Sequence, residues 1–225
     1  EARVELSQFG LEGKKRDNLR RGRNKLIKQN YYFEVLERDA VVANINRLKE
    51  ISDAWLTQKQ VREKRFSLGF FSEAYICRTR VAVARSPEGQ IMAFANLWET
   101  FSHEELSIDL MRYDPLAPNG VMDFIFAELM LWGKTQQYVW FNLGVAPLSG
   151  LERHPLAPLW HKIGTTIFDL GEEFYNFEGL YEYKAKFNPV WQSRYLATPA
   201  GLSAPFTLLT ITRLIAGGWK GIIKK

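Results

Sequence analysis

The stretch from residue 81 to residue 143 constrains the fold more than any other part of this 225-residue chain. Its alternating and helical periodicities predict a series of consecutive elements. These are strands over 81–85, 91–100 and 105–111, a helix over 121–137 and a strand over 139–143. The sequence Ser86-Pro87-Glu88-Gly89 is typical of a hairpin turn between the first two strands, and Asn119 is the expected cap of the helix. Antiparallel strands followed by a helix and a further strand favour an α+β or α/β domain with a mixed sheet.

Further elements are predicted on both sides of this stretch. Helices are expected over 11–30, 40–58, 156–172 and 205–215, a strand over 31–37, short helix and loop over 66–78, and a mixture of strand and helix over 176–199. A hydrophobic content of 46% is enough for a sizeable core. Cys77 is the only cysteine, so the chain cannot form an intrachain disulfide.

Residues 11–30 are the most charged region of the chain and carry a thin apolar edge. The apolar positions are Leu11, Leu19, Leu26 and Ile27. The cations are Lys14, Lys15, Arg16, Arg20, Arg21, Arg23, Lys25 and Lys28. Like charges repel across a helix face. A basic surface as dense as this one therefore favours a phosphate backbone as its partner. The alternative interpretation is an ordinary solvated helix.

The strand over 105–111 carries the first candidate site residues. Regular alternation would place Leu106, Ile108 and Leu110 on the core face, with Ser107 and Asp109 on the other. The carboxylate of Asp109 could then hold a substrate ammonium or orient a hydroxyl. Arg112 could contact a phosphate or a developing oxyanion. The alternative is an Asp109–Arg112 pair that only stabilises the end of a strand.

A second cluster of charged residues lies near the end of the predicted domain. If Glu178, Lys184 and Lys186 belong to a strand, all of them point to one face, and the two ammonium groups suit phosphate binding. Arg194 is a weaker phosphate candidate. The alternative is a solvated edge with ordinary lysines.

Several chemistries lack their sequence signals. His103, His154 and His161 share no ligand spacing with Cys77, so we expect no metal site. There is no Walker loop or Rossmann glycine fingerprint, and Ser149 does not lie in a nucleophile elbow. The glycine-rich loop that binds the pyrophosphate of acetyl-coenzyme A is also absent. We therefore predict no cofactor, and an acyl donor other than coenzyme A.

An ordered set of short blocks resembles a known family. The blocks are SIDLMR at 107–112, PNGVMDF at 118–124, FNLGVAPLSGL at 141–151, PLAPLW at 155–160 and NFEGLYEYKAKFNPVWQSRYLATP at 176–199. Together they resemble the aminoacyl-phosphatidylglycerol synthases, the cytosolic catalytic part of the multiple peptide resistance factors. The resemblance covers about Leu6 to Pro199. It implies an α+β, GNAT-type acyltransferase fold with a mixed sheet flanked by helices, the second of a tandem pair.

The same resemblance implies an organisation and a location. Residues 1–30 would be a basic connecting helix, 31–203 the catalytic domain, and 204–225 a C-terminal helix with a basic tail. Since the chain does not begin with methionine, we expect a soluble fragment of a longer membrane-anchored protein. The absent parts would be an N-terminal catalytic half and a transmembrane region, with catalysis at the cytoplasmic face of the bacterial inner membrane.

The implied reaction moves an amino acid from aminoacyl-tRNA to the glycerol hydroxyl of phosphatidylglycerol, which contributes to resistance against cationic antimicrobial peptides. Alanine is slightly favoured over lysine as the amino acid. Asp109 and Arg112 would be catalytic. Glu178, Lys184, Lys186 and Arg194 would bind substrate, and the cations of residues 14–28 would bind tRNA. Two alternatives stay open: a Fem-type ligase that aminoacylates cell-wall precursors from tRNA, and a non-catalytic RNA-binding module.

The C-terminal tail is a candidate membrane contact. Its apolar positions are Leu208, Ile211, Leu214 and Ile215, followed by Trp219, Lys220, Lys224 and Lys225. A tryptophan beside lysines suits a membrane interface. The alternative is a helix docked on the core.

Overall fold

A computed structural model describes residues 1–59, 63, 69–147, 177–195, 197, 206–207, 210–211 and 213–214. The strands of this part are β1 (Ala2–Glu5), β2 (Tyr32–Leu36), β3 (Val81–Arg85), β4 (Ile91–Glu99), β5 (Glu105–Tyr113), β6 (Trp140–Gly144) and β7 (Val190–Trp191). The helices are α1 (Asp17–Lys28), α2 (Arg38–Lys59), α3 (Glu73–Ile76), α4 (Val121–Thr135) and α5 (Phe177–Ala185), with a 3₁₀ turn at Lys14–Arg16.

The strands form one mixed sheet in the order β2-β3-β4-β5-β6-β1-β7. Neighbouring strands are antiparallel except for β5 and β6, which are parallel. A parallel pair needs a crossover, and α4 provides it between these two strands. The hairpin of β3 and β4 lies where the sequence predicted it. β1 was not predicted, because an alternation over four residues is too short to distinguish from chance.

Helices cover both faces of the sheet. Alternation along β3 directs Ala82 and Ala84 to the face covered by α1 and α4, and Val81 and Val83 to the face covered by α2 and α3. Both faces therefore have a buried core. This confirms the predicted α+β fold with a mixed sheet flanked by helices, as expected for a GNAT-type acyltransferase.

A β-bulge interrupts the regular alternation of β5. Ala95 of β4 pairs with Met111, whereas Leu97 pairs with Ile108, so β5 contains one extra residue between these pairs. Leu110 consequently packs on the α2 side, although Ile108 packs on the opposite side. The prediction that Leu106, Ile108 and Leu110 share one face is wrong beyond Ile108, because a bulge shifts the side-chain alternation by one residue.

The bulge also decides where Arg112 points. In a regular strand, residues three apart such as Asp109 and Arg112 lie on opposite faces. With the extra residue in β5, both side chains contact the α2 and α3 layer. The bulge is therefore the local feature that places these two side chains on one face.

Two other local predictions need correction. α4 begins after Gly120, which has a φ of 89° and no capping side chain, so Asn119 is not the cap. Residues 177–185 form the helix α5, so Lys184 is not in a strand. Tyr183 and Phe187 pack on Phe126 of α4, with ring centroids 5.8 and 5.4 Å away. Burial of these rings stabilises the helix on the α4 side of the sheet.

The stretch over residues 1–30, expected as a connecting helix, also contains β1. Its helical part is α1 with the preceding 3₁₀ turn. Leu19 and Leu26 of the predicted apolar edge are buried, in the core that α1 shares with α4. Ile27, expected on the apolar edge, is instead 40% exposed.

The predicted helix over 156–172 lies outside the described residues, while the described residues between 205 and 215 are helical. Of the predicted apolar positions in the tail, Ile211 and Leu214 are described. Among the helices that the structure describes, none is long and apolar enough to cross a bilayer.

Candidate active site and basic face

The pairing of β5 with β6 ends at Ser107, and the unpaired continuations of the two strands are the centre of the candidate site. Their parallel pairing runs from Glu105 opposite Trp140 to Ser107 opposite Asn142. The Ser107 hydroxyl donates to the Asn142 carbonyl oxygen at 2.9 Å. Asp109 follows this last pair by two residues on β5, and Val145 follows it by three residues, just after the end of β6. We call this end of the β5–β6 pairing, with Asp109 and Val145 beyond it, the β5–β6 notch.

The Asp109 carboxylate accepts a hydrogen bond on each oxygen. The Gly69 N–H donates to Oδ1 at 3.0 Å, and the Tyr75 hydroxyl donates to Oδ2 at 2.7 Å. A Cβ atom on residue 69 would lie 2.0 Å from Oδ2, so any other residue here would displace the carboxylate or the backbone of residue 69. The carboxylate is thus fixed from the α3 side, and among the described residues no further donor bonds to its remaining lone pairs.

Tyr75 is itself held by two donors from β4. Its hydroxyl oxygen accepts from Asn96 Nδ2 at 3.1 Å and from Trp98 Nε1 at 2.6 Å. Burial and the neighbouring Asp109 raise the pKa of Tyr75, so the phenol stays protonated.

Arg112 lies close to Asp109 but pairs with another carboxylate. Its guanidinium stacks 4.2 Å from the Trp55 ring centroid and contacts Glu63 Oε2 at 3.3 Å. Burial lowers the pKa of Arg112, and Glu63 and Asp109 oppose that effect. Within the described residues no ion pair joins Arg112 to Asp109, so the alternative of a simple strand-end pair does not fit these contacts.

Lys184 reaches the other side of the notch. Its side chain is buried, and Nζ donates to the Val145 carbonyl oxygen at 2.7 Å. Burial lowers the pKa of Lys184 to about 8, and the Glu1 carboxylate opposes the shift. An ammonium has three N–H groups, and within the described residues only this one hydrogen bond is made.

Lys186 points elsewhere. It contacts Asp123 of α4 at 3.3 Å and is half-exposed. The prediction that Lys184 and Lys186 point the same way is wrong, because α5 places Lys184 in a helix and Lys186 just after its end. Glu178 lies exposed in the first turn of α5. Arg194 pairs with Glu1, whose carboxylate also accepts from Asn142 Nδ2.

The predicted site residues therefore form two groups. Asp109 and Arg112 belong to the α2 and α3 side of β5, whereas Lys184 and Arg194 lie where β6 and β1 end. Within the described part of the chain no hydrogen bond or ion pair joins the two groups. What they share is their position in the sheet: Asp109 follows the last β5–β6 pair on β5, and Lys184 bonds Val145, which follows it after β6.

Some of the basic residues before and within α1 are committed to the fold. Arg16 donates to the Gly10 carbonyl at 2.8 Å and lies over the Phe9 ring. Burial lowers its pKa. Arg20 bonds Asp17 and the Leu11 carbonyl, and Arg23 pairs with Glu128 of α4 at 2.7 Å. These contacts orient α1 on the domain.

The other cations form an exposed basic face, which we define as Lys14, Lys15, Arg21, Lys25 and Lys28. Arg21 also bonds Asp17 and Asn18 within the first turns of the helix. A shallow surface hollow of about 420 Å³ is lined by Arg21, Asn24, Lys25, Lys28 and Gln29. Cations beside amide donors on an open surface suit a phosphate chain.

Sequence reasoning missed the residues that support Asp109. Gly69 and Tyr75 lie 40 and 34 residues before it in the chain, so no local pattern connects them. Asn96 did leave a signal, since it is a lone amide in the apolar run IMAFANLWE. Such a residue is buried only when its polar atoms have partners. Among the described residues, no group of three His, Cys, Asp or Glu side chains is placed to hold a metal ion.

Comparisons with known proteins give this arrangement a context. A family model described as phosphatidylglycerol lysyltransferase, C-terminal, matches residues 1–198. The phosphatidylglycerol lysyltransferase of Bacillus subtilis (strain 168) is 39% identical over 216 residues, which are 96% of this chain and 25% of that protein. The phosphatidylglycerol lysyltransferase of Staphylococcus aureus (strain COL) is 34% identical over 215 residues, again 96% of this chain and 25% of the relative. The chain thus spans about a quarter of the length of these relatives.

Solved structures agree with this match. A C-terminal domain ascribed to a lysylphosphatidylglycerol synthetase of Agrobacterium fabrum superposes with a TM-score of 0.83 at 43% identity, over 98% of this chain and 66% of that one. The structure of L-PGS from Bacillus licheniformis gives a TM-score of 0.77 at 40% identity, over 95% of this chain and 64% of that one.

Proposed function

We propose that this chain, which belongs to the family of phosphatidylglycerol lysyltransferase C-terminal domains, catalyses transfer of an amino acid from aminoacyl-tRNA to the glycerol hydroxyl of phosphatidylglycerol. The family and the names of the relatives support a transferase that acts on phosphatidylglycerol. The observation that carries the finer proposal is the pair of charged groups at the β5–β6 notch: the clamped carboxylate of Asp109 and the buried ammonium of Lys184.

Asp109 and Arg112 are proposed to act on the donor ester. An ester at the 3′ end of tRNA is already activated, so the enzyme must position it and stabilise the oxyanion that forms during attack. Asp109 has lone pairs left to accept from the α-ammonium of the amino acid or from the attacking hydroxyl. Arg112, on the same face of β5, supplies positive charge near the reacting carbonyl.

Lys184 is proposed to bind the acceptor phosphodiester. Its ammonium is buried next to the end of β6, where the lower dielectric strengthens its attraction to an anion. Arg194 lies near the same end of the sheet through its contact with Glu1, and adds a second, more exposed cation. Glu178 and Lys186 stay proposed substrate contacts, on the outer part of α5 and beyond its end.

The exposed basic face is proposed to bind the tRNA backbone. The contacts around α1 distinguish the exposed Lys14, Lys15, Arg21, Lys25 and Lys28 from the cations that hold the helix in place. Binding of these exposed side chains to phosphates releases counterions, which gives affinity without base specificity. Recognition of the amino acid must then come from the catalytic site.

Lysine is now the more favoured amino acid, since the relatives described above are named lysyltransferases. The family resemblance in the sequence slightly favoured alanine. Either product adds positive charge to the lipid and weakens the attraction of the membrane surface for cationic peptides. We place the reaction at the cytoplasmic face of the membrane, with the remaining parts of the longer relatives supplying the anchor and further catalytic segments.

The test is a transfer assay with separate donors. The protein is incubated with lysyl-tRNA or alanyl-tRNA and phosphatidylglycerol vesicles, and the lipid fraction is analysed by mass spectrometry. We expect aminoacyl-phosphatidylglycerol, with the lysyl form more abundant. Since the chain spans a quarter of its relatives, a protein extended to their full length is assayed in parallel.

The other outcomes separate the alternatives. An amide product on a cell-wall peptide precursor, with no lipid product, would indicate a Fem-type ligase. Retention of tRNA with neither product, in both the chain and the extended protein, would indicate an RNA-binding module and would refute the proposed transfer.

A further inference from the structure

A saturated polar network lies behind Asp109. The Tyr75 hydroxyl donates its one proton to Asp109 Oδ2 and accepts from Asn96 Nδ2 and Trp98 Nε1. A phenol has one proton and two lone pairs, so every hydrogen-bonding position of this hydroxyl is occupied within the protein. Tyr75 therefore has no hydrogen-bonding position left for a substrate group. Within the described residues, it is connected to the β5–β6 notch through Asp109.

Asn96 connects this hydroxyl to the bulge in β5. Its side chain is fully buried in the middle of β4. While Nδ2 donates to Tyr75, Oδ1 accepts from the Leu110 N–H at 2.7 Å, in the residue that follows Asp109. An amide buried among apolar residues is costly unless its polar atoms are paired. Here one amide pairs both the backbone of the bulge and the hydroxyl that holds the carboxylate.

Trp98 completes the network from the solvent side. Its ring is 55% exposed, yet its indole N–H is directed to Tyr75 at 2.6 Å. The indole donor and the Asn96 amide together fix the direction of the phenolic proton, because both lone pairs of the oxygen are taken. The proton is left pointing at Oδ2.

From these contacts we propose that Tyr75, Asn96 and Trp98 form a positioning relay that holds Asp109 in the orientation required for aminoacyl transfer. The proposal rests on the proposed function, in which Asp109 contacts the reacting groups. Tyr75 is a positioning residue in this relay and acts through Asp109. Asn96 has a second task, since the bulge it stabilises keeps Arg112 on the same face as Asp109.

The test is the Tyr75→Phe substitution, which removes the hydroxyl and keeps the ring. Transfer to phosphatidylglycerol vesicles is measured under steady state, well below the melting temperature of each variant. We expect kcat to fall about ten- to a hundredfold, the range for loss of one hydrogen bond to a charged group. The KM for aminoacyl-tRNA should change by less than about twofold, because binding of the remote tRNA body does not depend on the carboxylate.

Two further variants serve as a control and as a second measurement of the relay. Tyr32→Phe on the edge strand β2 is the matched control, since Tyr32 is 45% exposed and distant from the relay; it should keep wild-type kcat and KM. Trp98→Phe replaces an exposed ring and removes one donor, so it reports on the relay even if Tyr75→Phe does not fold. We expect a smaller fall in kcat, about threefold, in this variant.

The results separate the two proposals. If the wild-type protein forms no aminoacyl lipid, the proposed function and the relay fall together. If the wild type is active but Tyr75→Phe and Trp98→Phe keep its kcat, the relay alone is overturned. An increase in KM with an unchanged kcat would also overturn it, because the network would then serve binding.

Discussion

Asp109 and the exposed basic face of α1 use charge in different ways. The carboxylate of Asp109 has a named donor on each oxygen, and these donors come from Gly69 and Tyr75. Lys25 and Lys28, in contrast, are exposed on one side of a helix. Because each carboxylate oxygen of Asp109 has its own donor, the loss of one hydrogen-bonding atom there should lower activity. On the basic face, neighbouring exposed charges can replace one another, so the loss of one charge should have a small effect. The predictions below test this difference.

The largest effect is expected from Asp109→Asn. The amide is isosteric with the carboxylate, but one of its positions becomes an NH₂ group that must face either the Gly69 N–H or the Tyr75 hydroxyl. Two donors then oppose each other, and the negative charge is lost. We expect kcat to fall about a thousandfold or more in the lipid transfer assay. We also expect a loss of about 1–3 kcal/mol in the free energy of unfolding, measured by urea denaturation.

Asp53→Asn is the matched control for this substitution. Asp53 is an exposed carboxylate on α2 that pairs with Lys49 one turn earlier. Such surface pairs contribute about 0.3–0.5 kcal/mol, so activity should be unchanged and stability nearly so. Wild-type kcat in Asp109→Asn would remove Asp109 from the mechanism.

Gly69→Ala should have the next largest effect. The added methyl group would lie 2.0 Å from Asp109 Oδ2, so either the carboxylate or the backbone of residue 69 must move. A displacement of about 1 Å from the productive geometry can cost about a hundredfold in rate, and we expect a fall of that order in kcat.

Gly22→Ala provides the contrast for Gly69→Ala. Apart from its chain neighbours and the backbone of its own helix, no described atom lies within 4 Å of a Cβ built on Gly22, which is inside α1. Alanine is favoured over glycine there by about 0.5–1 kcal/mol, so the thermal midpoint should rise slightly with no loss of kcat. Equal kcat values in the two alanine variants would contradict the clamp around Asp109.

Lys184→Met tests the acceptor side of the notch through its pH dependence. The pKa of Lys184 is lowered to about 8 by burial, so the ammonium is charged below that pH and neutral above it. The KM for phosphatidylglycerol should therefore rise as the pH increases through about 8 in the wild type. In the variant, the KM should already be about tenfold higher at pH 7 and change little with pH.

Stability gives an independent measurement of the same group. Because the pKa in the folded state is below the ordinary value of 10.5, the unfolded chain binds more protons between about pH 8 and pH 10.5. The free energy of unfolding of the wild type should therefore rise with pH in this window. In Lys184→Met this part of the pH dependence should be absent. Lys186→Met, which removes a half-exposed lysine paired with Asp123, is the control and should keep the wild-type pH dependence.

The smallest effects are expected on the basic face. Lys25→Gln and Lys28→Gln should each weaken tRNA binding about two- to threefold and lower the slope of log affinity against log salt by about one. Arg23→Gln is the informative comparison, since it breaks the pair with Glu128 and should reduce stability more than tRNA affinity. If Arg23→Gln lost the most affinity, the division of the α1 cations would be wrong. Filter binding over a salt series is the measurement.

The sequence predicted the fold well where periodicity is strong. β3, β4 and α2 repeat their apolar positions over enough residues to define an element and its buried face. β1 is too short for that argument, although it lies inside the sheet between β6 and β7. The cap at Gly120 was mispredicted because a left-handed glycine can begin a helix where an asparagine was expected.

The candidate site was predictable only in part. Asp109 and Arg112 were selected by the family resemblance, but their common face depends on a bulge that arises from the pairing of two strands. Lys184 was assigned to a strand, and α5 gives it a different direction from Lys186. The residues that hold Asp109 come from distant parts of the chain, so their role depends on tertiary structure and cannot be read from local spacing.

The extra residue in β5 also limits how far the hexapeptide SIDLMR can be transplanted. If the hexapeptide were inserted into a strand without a bulge, the side chains equivalent to Asp109 and Arg112 would lie on opposite faces of the sheet. A graft that preserves their relationship would have to bring along an amide from the adjacent strand, as Asn96 does for the Leu110 N–H. A search for related enzymes should therefore look for the hexapeptide together with a polar residue inside the apolar strand that precedes it.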